Sequence, residues 1–385
     1  MTRLLRLALL LPVLGVLLVL AGVAYAFSAS GPAGFQAEDG RLIHPSRELR
    51  LLMTRLREVG TGRASELLEP ANGLLAKAPL EEEPFIVAAL TRYDEGRYEE
   101  ATRLLDIARR RSARSFEARF LAVDANMAAG NIDRAVKDLE ALLRLAPEQA
   151  ALTRETLVLL SGHPETGPVA LEAIEEDRTK LMVLTALARA EPDPGALIEA
   201  IRTTRAAEAV RGDPRAVDPI TRPLIDAGDY PGAYRVWSEL VGRRPGEEGL
   251  ITDPEFGGDL PPPFGWSLRS GPEGYAALGP SGLSGEAYGR RTTELARQVL
   301  LLPAGSYRLR AEVLDPSEAI ELRVQCLGGE EIVRTRLREA GAMAARFSVS
   351  PDCRAQSLEL RARASDPPRA AAFSIESITI EGDGA

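Results

Sequence analysis

The sequence predicts an α+β multidomain chain with an apolar leading helix, a solenoid of helical repeats and a C-terminal antiparallel β-sandwich. Three observations carry this. Residues 7–27 hold no charge. From about 45 to 246 the chain is rich in Leu, Ala, Arg and Glu, with columns that recur every 34 residues. After Gly246 glycine and proline rise, and apolar residues begin to alternate with polar ones. The 385 residues therefore divide into a signal anchor or transmembrane helix (1–27), a linker (28–44), a helical-repeat domain (45–246) and a β-sandwich domain (247–385).

The leading segment follows Arg3 and Arg6 and runs uncharged from Leu7 to Phe27. A basic start before an apolar run reads as an export signal with its N-terminus held in the cytoplasm. The run is about 20 residues, enough for a helix to cross roughly 30 Å of hydrocarbon. It therefore predicts an inner-membrane anchor with the bulk of the chain periplasmic. The alternative is secretion to the periplasm after cleavage near Ala26, because Ala24-Tyr-Ala26 has a small-x-small pattern. Residues 28–40, with their glycines and a proline, read as a spacer.

In the helical region Gly62, Gly96 and Gly130 are spaced by 34, as are Pro79, Ala113 and Pro147, and Leu74, Ala108 and Leu142. Ala101 and Ala135 share the register. Each unit is expected to be a helical pair that cannot bury its apolar face alone. A glycine ends the first helix in a left-handed cap, a small alanine lets the helices approach, and proline stops the second. Tyr93-Asp-Glu-Gly-Arg-Tyr-Glu-Glu-Ala101 resembles the turn of a tetratricopeptide repeat. Gly228, Tyr230, Ala233 and Pro245 fall at that family's Gly, aromatic, Ala and Pro positions. The register slips between about 150 and 225. The resemblance implies a concave groove whose partners are envelope proteins. No ladder of Lys or Arg with Asn marks the first helices as a carboxylate clamp.

In the last part, Tyr307, Leu309, Ala311 and Val313 alternate with Arg308, Arg310 and Glu312. Leu322, Val324 and Cys326 share a face, as do Phe347 and Val349, and Leu358 and Leu360. Phe373 and Ile375 are out of phase with Ile378 and Ile380, which predicts a bulge near Glu376-Ser377. Eight or more short strands of this kind predict a sandwich. Cys326 and Cys353 are the two cysteines of the chain, both in this domain. In an oxidising compartment they are expected to form a disulfide. Closing a loop of about 28 residues stabilises by roughly 3–4 kcal/mol.

Ile251-Thr-Asp-Pro-Glu-Phe256 with Trp266, and Gln298-Val-Leu-Leu-Leu-Pro-Ala-Gly-Ser-Tyr-Arg-Leu309, resemble galactose-binding-like jelly rolls, the fold of many carbohydrate-binding modules. The first passage resembles their opening strand. Asp253 stands where that family has Asn, displaced by one residue, and Gly257 replaces an acid, so the family's calcium site does not carry over. The two cysteine strands resemble a variant attached to tetratricopeptide proteins of bacterial exopolysaccharide assembly. A sugar site on such a fold needs aromatic faces and planar polar groups. Trp266, Tyr275 and Tyr288 are the available aromatics, and Arg290, Arg291 and Gln298 the hydrogen-bonding groups. Core packing is the competing reading for each ring.

Composition narrows the function. Two histidines, His44 and His163, do not furnish a multi-His metal site or a His-shuttled acid–base pair. The net charge of −9, with −6 of it in the β-sandwich domain, does not suit nucleic acid. No phosphate-binding glycine loop, Gly-x-Ser-x-Gly or His-Glu-x-x-His occurs. No cofactor, metal site or catalytic residue is predicted. The expectation is a non-enzymatic envelope scaffold with protein-binding repeats and a carbohydrate-binding sandwich, linked by resemblance to exopolysaccharide assembly or export. The alternatives are a pure protein adaptor and a polysaccharide-processing enzyme.

Overall fold

The structure is a computed structural model that describes residues 45–243, 249–258 and 260–382. The apolar run 7–27, its cleavage motif and the linker through His44 lie outside the described residues. Among the described residues no helix is long and apolar enough to cross a membrane. The chain divides into two compact units, Met1–Thr179 and Lys180–Ala385.

The first unit carries α1 (Pro45–Val59), a 3-10 stretch (Thr61–Leu67), α2 (Leu68–Lys77), α3 (Glu83–Asp94), α4 (Tyr98–Arg111), α5 (Phe116–Ala128), α6 (Ile132–Leu145), α7 (Ala150–Gly162) and α8 (Gly167–Ala173); α9 (Asp177–Ala190) begins at its end. α3 packs on α4, and α5 on α6. The 34-residue columns have a visible cause. Gly96 and Gly130 take φ of +74° and +78°, and the next N–H donates to a carbonyl five residues back, Arg97 to Arg92 and Asn131 to Asn126 at 2.8 Å each. This closes α3 and α5 with the same left-handed cap. Ala101, Ala135 and Ala108 are fully buried where helices meet. The first column member departs from expectation, because Gly60 and not Gly62 has positive φ, and the 3-10 stretch replaces a regular helix start.

Charges staple this unit. Asp138 of α6 is buried and paired with Arg109 of α4 and Arg119 of α5. The Glu140 carboxylate accepts the backbone N–H groups of Glu175 and Glu176 at 3.2 and 3.0 Å. It thereby supplies acceptors just before α9, where the first turn lacks its own. The acidic run Glu175-Glu176-Asp177 thus stands at the start of α9.

The second unit holds α10 (Pro194–Thr204), α11 (Ala206–Gly212), α12 (Val217–Asp226), α13 (Tyr230–Val241) and eleven described strands. Gly228, with φ +76°, repeats the same turn between α12 and α13. The strands are β1 (Ser267–Leu268), β2 (Ser270–Gly271), β3 (Gly274–Gly279), β4 (Gly282–Ala287), β5 (Thr293–Leu300), β6 (Gly305–Asp315), β7 (Ser317–Cys326), β8 (Glu331–Leu337), β9 (Gly341–Val349), β10 (Gln356–Ala362) and β11 (Ala371–Gly382). They form two antiparallel sheets, ordered β1-β5-β10-β7-β8 and β2-β3-β4-β11-β6-β9. The alternating residues Tyr307, Leu309, Ala311 and Val313 enter one shared core with Leu322, Val324, Leu358, Leu360, Phe373 and Ile380. The expected bulge is present, with the β6 register shifting between Ile375 and Ser377. Cys326 and Cys353 form a disulfide with Cα atoms 5.6 Å apart.

One expectation fails. Residues 251–256 are not a strand; Asp253 and Phe256 take φ of +56° and +59°. Thr252 instead gives both its backbone groups to the Gln298 side chain. The apolar ends of this segment, Ile251 and Phe256, are buried without a ladder partner.

Candidate functional site

Two of the expected site residues are not surface groups. Trp266 is 6% exposed and packs on Phe256 at 5.2 Å between ring centroids. Its Nε1 donates to the Asp253 carbonyl at 3.0 Å. Asp253 itself is spent, since its carboxylate accepts the N–H groups of Gly257 and Gly258. Gln298 is 0% exposed and locked on Thr252, with Nε2 on the carbonyl at 2.6 Å and Oε1 on the N–H at 3.2 Å. Core packing is therefore the role of Trp266, and loop anchoring the role of Gln298.

The structure brings the other four, Tyr275, Tyr288, Arg290 and the neighbouring exposed Arg291, to one edge of the second sheet. Tyr275 lies on β3 with Ser270 opposite it on β2 and Glu286 opposite it on β4. It is 39% exposed, while its strand neighbours Gly274 and Ala276 are buried. The Tyr288 N–H donates to the Glu273 carbonyl at 3.0 Å, so the pairing continues one residue beyond β4. Strand alternation puts Glu286 and Tyr288 on the same outward side as Tyr275. Tyr288 is then the diagonal neighbour of Tyr275, about 7–8 Å away between Cα atoms. Arg290 follows in an exposed turn. Gly289 makes that turn with φ +67° against the Arg369 backbone, where a Cβ would stand 2.5 Å from the carbonyl.

The surroundings are flat. Ala277, Ser284 and Ser374 lie in one row of this face, and Ala372 follows Glu286 in the row of Tyr275. Among the described residues Tyr275, Tyr288, Glu286 and Arg290 have no side-chain partner. Glu273, at the same corner, keeps one buried carboxylate oxygen without a hydrogen bond. Glu286 and Glu273 escape a reading of the sequence, because a single glutamate in a strand has no mark until pairing sets it beside an aromatic ring.

The outer face of the first sheet is the contrast. A straight row crosses its five strands, Ser267, Arg297, Glu359, Arg323 and Arg334. Glu359 accepts from Gln325, Ser357 and Arg361. Arg323 and Arg334 pair with Glu331. Glu359, Arg323 and Arg334 are engaged on this face, although the Arg297 Nε is buried without a hydrogen bond, whereas the open groups of the β3–β4 edge face outward.

No family model and no curated protein matches the chain. A solved structure similar to it is that of TmCBM61 in complex with beta-1,4-galactotriose, at 14% identity, covering 36% of this chain and 100% of that one, with a TM-score of 0.24.

Proposed function

We propose that this chain is a non-enzymatic cell-envelope scaffold whose β-sandwich binds carbohydrate at the β3–β4 edge. The observation that carries the reading is the placement of Tyr275 and Tyr288 on one flat outward face, with Glu286 and Arg290 unpartnered beside them. A pyranose offers a face of C–H groups to a tyrosine ring and hydroxyls to carboxylate and guanidinium. In this reading the helical pairs of the first unit engage an envelope protein, residues 7–27 anchor the chain, and exopolysaccharide assembly or export is the setting. The anchor rests on the uncharged run after Arg3 and Arg6, the partner and the setting on sequence resemblance.

The test is a glycan array probed with the full chain, followed by calorimetry on any positive glycan. Tyr275→Ala and Tyr288→Ala are each expected to weaken binding about tenfold, as loss of roughly 1.4 kcal/mol of contact requires. Absence of any glycan ligand, or unchanged affinity in the double variant, overturns the carbohydrate reading. Turnover of a polysaccharide by the purified chain overturns the non-enzymatic one.

A further inference from the structure

A cleft of about 530 Å3 opens between the turn that joins α12 to α13 and two loops of the sandwich, lined by residues within 227–231, 302–304 and 351–354. All three segments belong to the same compact unit, and none contributes to the carbohydrate face.

The walls are fixed in advance. Gln356 is fully buried, and its Nε2 donates to the carbonyls of Cys353 at 2.8 Å and Leu302 at 3.3 Å while its Oε1 accepts the Leu302 N–H at 2.9 Å. One amide thus ties two walls together. The Tyr307 hydroxyl donates to the Pro303 carbonyl at 2.7 Å, and the disulfide holds Cys353. On the opposite wall Asp229 accepts the Gly232 N–H at 2.9 Å and starts α13. A ligand entering here orders little of the protein, which favours binding.

The lining states what fits. Pro231, Pro303 and Pro351 have no N–H to offer, and the Leu302 and Pro303 carbonyls are already engaged. Among the described residues no aromatic ring lines the cleft. A sugar ring therefore finds no face to stack on here. An aliphatic side chain loses nothing against proline rings. Asp229 and Arg354 are the charged residues of the lining; Asp229 is taken up as the cap of α13, while Arg354 is exposed and pairs with no carboxylate among the described residues. Its guanidinium crosses to the opposite wall, where an Nη would lie 3.4 Å from a Cβ built on Gly228. A carboxylate satisfies it by charge-assisted hydrogen bonds.

We propose that this cleft binds an extended acidic peptide segment, seating an aliphatic side chain among Pro231, Pro303 and Pro351 and a carboxylate on Arg354. The probe is a fluorescein-labelled peptide of alternating leucine and glutamate, titrated with the full chain and followed by anisotropy. A matched leucine–lysine peptide is the control. The expected result is saturable binding of the acidic peptide that weakens with salt. Arg354→Glu is expected to lower its affinity about tenfold or more. Ala304→Trp, at an exposed lining position, is expected to abolish it by filling the cleft. Melting curves show whether both variants remain folded, and Tyr275→Ala is expected to leave peptide binding unchanged. No saturable binding, equal binding of the lysine peptide, or undiminished affinity in folded Arg354→Glu protein overturns the proposal.

Discussion

Asp124 shows how a single carboxylate couples this fold to pH. It lies on α5 with Oδ2 buried and without a hydrogen bond. Burial pushes its carboxyl up to about 7. Tyr93 is pushed up to about 12, first by burial and then by the charge of Asp124. An unfolded aspartate titrates near 3.9. Because the folded value is the higher one, its stabilising contribution is complete below about pH 4 and is lost as pH rises through 7. Asp124→Asn, compared with the parent in urea titrations at pH 4 and pH 8, is expected to gain stability at the higher pH by up to about 4 kcal/mol relative to the lower. Equal differences at both pH values would remove Asp124 from this role. Asp138 is buried as well, yet Arg109 and Arg119 reach it. Arg109→Ala leaves that carboxylate with one partner and is expected to cost about 3 kcal/mol, read as a lower urea midpoint.

At the scale of the element, the β3–β4 hairpin that carries the candidate site turns small residues, Gly274, Ala276, Gly285 and Ala287, inward behind Tyr275 and Glu286, with Leu278 and Leu283 at its far end. A Cβ at Gly285 would stand 2.1 Å from the Tyr275 carbonyl and 2.8 Å from the Phe373 ring. Gly285→Ala is expected to cost about 2 kcal/mol by pushing Phe373 or the strand aside, and to weaken glycan binding through displaced Tyr275. Unchanged melting in that variant would mean the hairpin tolerates the shift. The strands themselves were legible, since period-two runs such as Tyr307 to Val313 name both their faces. The bulge at Glu376 was legible as a break in phase. The segment 251–256 was not, because what organises it is the Gln298 side chain, 46 residues away in sequence. The same limit governs the site. Tyr275 and Tyr288 are readable as aromatics beside glycines, while the burial of Trp266 and the neighbourhood of Glu286 depend on which strands pair.

For the whole molecule, the change from helix to strand near residue 246 and the division into compact units near residue 180 fall at different places, and packing explains the offset. Trp237 of α13 is 1% exposed; its ring lies 5.7 Å from both Tyr234 and Phe264, and Tyr234 meets Phe264 edge-on at 5.1 Å. Its Nε1 donates to the Pro261 carbonyl at 2.8 Å. An aromatic cluster thus spans the compositional boundary and makes the last helices part of the sandwich unit. A fragment of residues 180–385 keeps this cluster, whereas one of 247–385 exposes Phe264 and leaves the Pro261 carbonyl with the Gly265 N–H as its one remaining donor. Burying one such aromatic contributes on the order of 3 kcal/mol. For a unit of this size that corresponds to a melting temperature lower by about 10 °C in the shorter fragment. Calorimetry on the two fragments checks this, with Trp237→Ala in the longer one expected to reproduce most of the loss. Equal melting temperatures would mean that the sandwich folds independently of α13 and that composition alone marks the boundary.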